Sequence, residues 1–405
     1  MTRRPTGRRW LPEWFTSLLW VTLLSMAVLS GVRTLISYRA LALGGDAVTV
    51  GVITAAFAVI PLFVALPLGR RVDRGQGVAV LRVGAILTVI AVMLAAWSPG
   101  LAVIAIASML LGFGQILTTI ACQGLIPLWS DPKDFDRKFG HITLAVSTGQ
   151  FLGFPIAGAV ATVTAIPGSS HVTTTPALLV LAGVAALAVP FSFVFRRGSA
   201  HRPLTRKKHA ESRQSTFTLL KTPGMKPAIY SSLTVLTGID LLAVYLPVLG
   251  QQTGISVGVI AVLLTARTLA SVVSRMALPW LLRAFKRRTL LVSATLCSSI
   301  PLFLLPAIPF PVVLGILMVI IGFFFGIGQP LSMSWVATVA DSNNRAAALS
   351  IRLAGNRAGQ VVLPLAAGGI AGIVGIGAVF NLTGLLLLSA AIVTYRATRN
   401  LRDGL

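Results

Sequence analysis

The residues best placed for chemistry are four charged side chains deep inside long apolar stretches: Asp240, Arg33, Arg267 and Arg357. Asp240 is the only acidic residue placed so deeply. A charged side chain at the centre of a membrane helix costs roughly 2.5–3.5 kcal/mol, so it usually has a partner or a function. In one interpretation, Asp240 exchanges a proton and an arginine receives an anionic group. In the other, Asp240 and an arginine form a buried structural pair, and Arg267 and Arg357 are the partners to test.

Two polar residues accompany these charges at helical spacing. Ser30 precedes Arg33 in a stripe along one face of its apolar stretch, and Thr237 precedes Asp240 on roughly the same face. We therefore expect Ser30 and Thr237, together with the arginines, to contact a bound substrate.

Further polar residues lie in other apolar stretches. Gln115 and Gln329 are candidate hydrogen-bonding groups of the same site, with helix packing as the alternative. Arg275 and Arg352 stand nearer the ends of their stretches, so we expect them to extend to the membrane interface.

The composition indicates a membrane protein. Of the 405 residues, 55% are hydrophobic and only 11% are charged, whereas soluble domains carry about a quarter charged residues. The apolar stretches continue without the alternation of a transmembrane barrel, which predicts an all-α protein with spanning helices. We expect twelve spans, near 14–38, 48–68, 79–97, 101–127, 141–166, 175–195, 227–249, 255–282, 289–307, 310–340, 346–369 and 373–395.

The positions of lysine and arginine predict the orientation. With the N-terminus inside, nearly all of these residues outside the spans fall on the inner side, and Arg39 falls outside. Both termini are therefore expected in the cytoplasm and the protein in the plasma membrane. We interpret the net charge of +24 as this topology signal, facing anionic lipid, and not as a nucleic-acid footprint.

The two groups of six spans share sequence. "VTVGVI" (48–53) resembles "ISVGVI" (255–260), "GFGQ" (112–115) resembles "GIGQ" (326–329), and "GQFLGFPIAG" (149–158) resembles "GQVVLPLAAGG" (359–369). Three matches in order predict an internal duplication with parallel repeats. The expected units are a six-helix bundle over 1–195, a basic cytoplasmic linker over 196–226, and a second six-helix bundle over 227–405.

The loop between spans 2 and 3 carries a recognisable motif. In "GRRVDRGQG", Gly69, Asp73 and Arg74 match the loop 2–3 signature of the major facilitator superfamily, which this sequence resembles along its whole length. The resemblance implies two pseudo-symmetric six-helix bundles that work by alternating access. It also implies a gating role for these three residues, which would latch the bundles in the outward-open state.

Glycine and proline recur at matching places in spans 5 and 11. The span-5 set resembles the glycine-proline motif of bacterial drug–proton antiporters, although Ser108 stands where their span-4 arginine is expected. Because the set occurs in both halves, we assign it to helix packing and bending. Its members are Gly149, Gly153, Pro155, Gly158, Gly359 and Pro364.

The resemblance implies a secondary transporter and not an enzyme, and probable coupling to protons. The first expectation is proton-coupled export of a small, partly apolar compound; the alternative is proton-coupled uptake of a small organic anion. We expect a monomer without cofactor, bound metal or nucleic-acid partner, since the sequence carries no nucleotide-binding loop and no metal-binding set.

Overall fold

The structure is a computed structural model that describes residues 13–130, 134–165, 172–194, 216–340 and 345–399. Within these ranges it is helical, and twelve helices are long and apolar enough to cross a membrane. Helices suit such apolar sequences because they satisfy every backbone polar group within one segment. Their bounds are α1 Glu13–Ala42, α2 Ala47–Arg71, α3 Gly77–Ala96, α4 Leu101–Trp129, α5 Phe135–Val163, α6 Thr175–Phe193, α7 Met225–Thr253, α8 Val257–Ala284, α9 Arg287–Leu304, α10 Pro311–Val339, α11 Arg345–Val374 and α12 Gly377–Arg399.

These helices confirm the twelve predicted spans, which form two pseudo-symmetric six-helix bundles, α1–α6 and α7–α12. A short helix, Thr216–Lys221, precedes α7. Most of the predicted linker lies outside the described residues. The exact limits predicted for the three units stay a prediction.

Several predicted boundaries differ from the structure by a few residues, and the one between the last two spans shows why. The last span was expected to begin near 373, but α11 continues to Val374 and α12 begins at Gly377. The sequence is apolar throughout this region, so composition gave no signal for the break. Gly375 makes the turn with a φ of 98°, a conformation that glycine adopts without steric cost.

Two loops define the ends of the molecule. At the end we call the basic end, α2 passes through a π-helical turn, Val72–Gln76, directly into α3, and Gly75 has a φ of 87°. At the opposite end, Asp46 caps α2 by accepting a hydrogen bond from the backbone N–H of Thr49 at 2.8 Å. This bond, with a second from the Thr49 hydroxyl, lowers the pKa of Asp46 from its usual 3.8.

Glycines bring helix backbones into close contact within each bundle. A Cβ at Gly149 or Gly153 would meet a backbone carbonyl oxygen of α1. A Cβ at Gly359, in the matching place of α11, would meet the Leu233 side chain of α7. The two halves therefore use small residues at equivalent positions to pack equivalent helices.

Backbones of the two bundles approach each other closely at the opposite end. Gly51 of α2 packs against Pro364 and Gly368 of α11, where any Cβ would collide. The Tyr245 hydroxyl of α7 lies 3.3 Å from two carbonyl oxygens, those of Ala47 in α2 and Pro364 in α11. These contacts join α2 to α7 and α11 and close this end.

A second junction at the opposite end joins α5 to α8. Gly158 packs against Ala261, and Thr162 packs against Gly258. Together the two junctions place the bundles edge to edge at one end of the molecule.

Candidate functional site

An ion pair joins the bundles near the middle of their helices. Nη1 of Arg33 in α1 donates to Oδ1 of Asp240 in α7 at 2.5 Å. The Arg33 and Asp240 side chains are only 14% and 10% exposed, so solvent screens the pair weakly. The Arg33 guanidinium also lies over the ring of Phe57 in α2, 4.7 Å from its centroid. The pair includes the carboxylate singled out from the sequence, but its partner is Arg33 and not Arg267 or Arg357.

The same carboxylate continues into a chain of hydrogen bonds on α11. Nε2 of Gln360 donates to Oδ2 of Asp240 at 2.5 Å, and Nη1 of Arg357 donates to Oε1 of Gln360 at 2.9 Å. Arg357 also donates to Oε1 of Gln115 in α4 at 3.4 Å. Both oxygens of Asp240 thus accept hydrogen bonds, one from each bundle.

Arg267 of α8 lies beside this chain with few partners. It is 7% exposed, and its Nη2 donates to the Thr268 hydroxyl at a long 3.4 Å. Among the described residues, no group accepts from its Nε. Its guanidinium lies 5.9 Å from the ring centroid of Phe154 in α5, and Asp240 is within electrostatic range.

Arg275 forms a third bridge, nearer the basic end. It donates to the Ser147 hydroxyl of α5 at 3.2 Å and to Oε1 of Gln329 in α10 at 3.1 Å. The sequence predicted that this arginine would extend to the membrane interface. Instead, two neutral acceptors from different bundles hold it between the helices.

The charges in this region do not balance. Arg33 neutralises Asp240, while Arg267, Arg275 and Arg357 bond only to neutral side chains within the described ranges. Three positive charges therefore stand in a part of the molecule where a buried charge without a counterion is costly. Such a region can lower its free energy by binding an anion.

The remaining predicted contacts are placed less directly. The Ser30 hydroxyl donates to the carbonyl oxygen of Met26, and the buried Thr237 hydroxyl has no partner among the described residues. Gln115 and Gln329 both accept from arginines, as described above. All the substrate contacts named from the sequence stay predictions.

The predicted gating residues lie at the basic end. Gly69 is in the last turn of α2, with open space around its Cα, and Arg74 is exposed in the π-helical turn. The backbone of Asp73 lies in the same turn, and its side chain is outside the described part of the structure. These three residues are well separated from the central charges.

Sequence reasoning missed Gln360, which links Asp240 to Arg357. One signal was available: Gln360 follows Arg357 by three residues, so the two side chains share a helix face. The ring of Phe57 gave no such signal, because its contact with Arg33 depends on how α1 and α2 pack.

A comparison with protein-family models identifies the chain. The Major Facilitator Superfamily model matches residues 18–253 and 228–403. The chain belongs to the major facilitator superfamily. Membership makes it a membrane transporter and not an enzyme, as the sequence resemblance implied.

Solved structures of major facilitator fold are similar along the whole chain. A single-residue variant of the nucleoside transporter NupG matches with a TM-score of 0.76 and 16% identity, covering 95% of this chain and 99% of that one. A bacterial homolog to the human lysosomal transporter Spinster, in an inward-facing and unoccupied conformation, matches with a TM-score of 0.74 and 15% identity, covering 96% and 97%. The comparison with curated proteins finds no match. At these identities the solved structures support the fold alone.

Proposed function

We propose that this major facilitator protein takes up a small organic anion together with protons, by alternating access of its two bundles. The observation that carries the proposal is the central excess of guanidinium groups over carboxylates. Arg267 and Arg357 are each less than a tenth exposed, and neither bonds to a carboxylate among the described residues. Of the two functions expected from the sequence, this excess favours anion uptake over export of a partly apolar compound.

Arg357 is the first arginine that we assign to the anion. Its two terminal nitrogens bond to the amide oxygens of Gln360 and Gln115, which are neutral acceptors. A carboxylate makes shorter and stronger hydrogen bonds to guanidinium than an amide does. Exchange of these amides for an anionic group would therefore stabilise the bound substrate without breaking an ion pair.

The Arg33–Asp240 pair supplies a route for proton coupling. An anion that engages Arg33 competes with Asp240 for the same guanidinium. A buried carboxylate whose neighbouring cations are all engaged by an anion gains by taking up a proton. Anion and proton would then enter and leave the site together, and a proton gradient directed into the cell would drive uptake.

The orientation follows from the charges at the basic end, which we place at the cytoplasm of the plasma membrane. The bundles meet through α2, α5, α8 and α11 at the opposite end, so the described conformation is closed on the outside. In the outward-open state, the loop with Gly69, Asp73 and Arg74 would hold the cytoplasmic ends together. We propose that the protein works as a monomer.

Matched ligands test the anion. Purified protein is heated with benzoate and other small carboxylates, each beside its uncharged amide, and the unfolding midpoint is recorded. A ligand that binds only the folded state raises stability, by about 2.7 kcal/mol at 100 times its Kd. We expect stabilisation by carboxylates and not by their amides, and its loss in Arg357→Gln but not in Arg39→Gln. Equal stabilisation by acid and amide would overturn the proposal.

Reconstitution tests the coupling. With a stabilising carboxylate in proteoliposomes, a pH-sensitive dye should report proton entry that accompanies uptake. Asp240→Asn should abolish gradient-driven uptake yet retain counterflow exchange, which needs no net proton movement. Gradient-driven uptake by well-folded Asp240→Asn would exclude Asp240 as the proton carrier.

A further inference from the structure

We propose that the substrate carries a second anionic group, bound by Arg267, so that the transported class is small dicarboxylates. This inference rests on the proposed function and names its substrate class. Arg267 is the most isolated of the central arginines. Its only side-chain hydrogen-bond partner among the described residues is the adjacent Thr268 hydroxyl, at 3.4 Å.

The backbone of Arg267 is held firmly. Gly322 of α10 packs directly against the backbone of Arg267, where a Cβ would collide with its carbonyl group. The next turn repeats the contact, with Gly326 against Ser271 and Ser274. The backbone from which Arg267 extends is therefore fixed, so ligand binding has to order only the side chain.

The surroundings of Arg267 point its charge toward the space between the bundles. Its guanidinium faces the Phe154 ring of α5, which belongs to the other bundle. At 1.5 Å per residue, Arg267 lies about 15 Å along α8 from the opposite end, and Arg33 lies about 14 Å along α1 from that end. The two arginines thus stand at nearly the same depth on different bundles, with Asp240 in electrostatic range of Arg267.

Charge balance calls for two negative groups. A substrate with one carboxylate would neutralise Arg357 and leave Arg267 uncompensated. A substrate with two would compensate both, while the closed Arg33–Asp240 pair is neutral in itself. Arg275 lies nearer the basic end and, unlike Arg267 and Arg357, is outside the electrostatic range of Asp240, so we do not assign it to the substrate.

Two separate anionic groups fit better than one doubly charged phosphate. Arg357 and Arg267 lie on different helices, α11 and α8. Their hydrogen-bond partners are also different: the amides of Gln360 and Gln115 for one, and the Thr268 hydroxyl for the other. Counted at 1.5 Å per residue, Arg357 lies about 25 Å along α11 from the opposite end and Arg267 about 15 Å along α8, so the two side chains start at different depths and a dicarboxylate can meet one at each.

The test compares ligands that differ only in charge. Binding of succinate, glutarate and adipate to the purified full-length protein is measured by calorimetry, each beside its half-amide and its diamide. We expect at least one diacid to bind about tenfold or more tightly than its half-amide, and the diamide not to bind. In Arg267→Gln, the affinity for the diacid should fall to that for the half-amide. The affinity for the half-amide itself should change by less than about twofold.

Controls separate the possible failures. Arg39→Gln, at an arginine bonded to Ser98 and Thr175 away from the centre, should keep the native ratio. Arg267→Lys should retain part of the preference for the diacid, which provides a second test if Arg267→Gln folds poorly. Equal affinity for diacid and half-amide in the native protein overturns the second group while the proposed anion site stands. If neither the diacid nor the half-amide binds, the proposed function itself fails. Preference for phenyl phosphate over every diacid would overturn the dicarboxylate class.

Discussion

Removing the two members of the Arg33–Asp240 pair should have unequal effects on stability. Loss of one partner from a buried ion pair costs about 3–5 kcal/mol, because the remaining charge is left uncompensated. Asp240→Asn removes the one carboxylate that the described residues place among Arg33, Arg267, Arg275 and Arg357, so we expect the full cost. Arg33→Gln should cost less, about 1.5–3 kcal/mol, the range for a lost hydrogen bond to a charged group. Asp240 would keep its bond from Gln360 and the field of Arg267 and Arg357.

A double-variant cycle on the purified protein measures this asymmetry. At about 2 °C of midpoint shift per kcal/mol, Asp240→Asn should lower the unfolding midpoint by about 6–10 °C and Arg33→Gln by about 3–6 °C. The double variant should be more stable than Asp240→Asn alone, because the stranded guanidinium is gone. Paired with Arg39→Gln instead, Asp240→Asn should show simple additivity, as expected for sites without shared partners.

Two results would refute the reasoning. Additive losses in the Arg33→Gln, Asp240→Asn double variant would mean that the pair does not couple the bundles. An Asp240→Asn protein as stable as the native one would mean that the central positive charge is already balanced in another way, and the case for an anionic substrate would be lost.

Four further predictions address packing, capping, gating and topology. Gly153→Ala places a Cβ against a carbonyl oxygen of α1 and should lower the free energy of unfolding by about 1–3 kcal/mol. Gly69→Ala, at a position with open space, is the control and should cost under 1 kcal/mol. Equal costs would contradict close packing of α5 against α1. Asp46→Ala should lower stability by about 0.5–2 kcal/mol at pH 7. Because the pKa of Asp46 is lowered in the folded protein, the stability that Asp46 contributes is complete above pH 3.8 and is lost as the pH falls through its folded pKa. The unfolding midpoints of the native protein and of Asp46→Ala should therefore converge near pH 2. Midpoints that stay apart at that pH would show that the cap does not depend on the ionised carboxylate. Asp73→Asn should leave expression intact and strongly reduce transport, and a native transport rate would limit the loop to a topological role. A protease site in segment 196–226 should be cut only from the cytoplasmic side, and cutting in sealed right-side-out cells would contradict the orientation.

The spans were predictable because their cause is local. A helix needs about 20 apolar residues to cross a bilayer, and the length of each apolar stretch can be counted directly in the sequence. The break after α11 was the exception, since only the backbone of Gly375 marks it. Family membership was equally accessible, because Gly69, Asp73 and Arg74 keep a fixed spacing within one loop.

The central site was predictable in its residue types and not in its contacts. Depth in an apolar stretch marked Asp240 and three arginines correctly as interior residues. Which arginine pairs with Asp240 depends on the placement of α1 against α7, more than 200 residues apart in sequence. Gln360 was hidden for another reason: a glutamine in a span is compatible with packing as well as with function.

The duplicated halves differ in one respect that bears on mechanism. Gln115 and Gln329 occupy matching places in α4 and α10, and each accepts from an arginine. Yet the second bundle supplies both of those arginines, Arg357 and Arg275, while the first bundle supplies neutral acceptors.

This division of charge suits a pair of bundles that must separate. The bridges from Arg275 to Ser147 and from Arg357 to Gln115 join a guanidinium to a neutral oxygen, at 3.2 and 3.4 Å. Such bonds are weaker than ion pairs, so they can open when the bundles rock without stranding a carboxylate. Arg33–Asp240 is the one bridge whose opening strands two charges. Under the proposed function, an anion for Arg33 and a proton for Asp240 would remove that cost together, and opening of the central bridge would then require both.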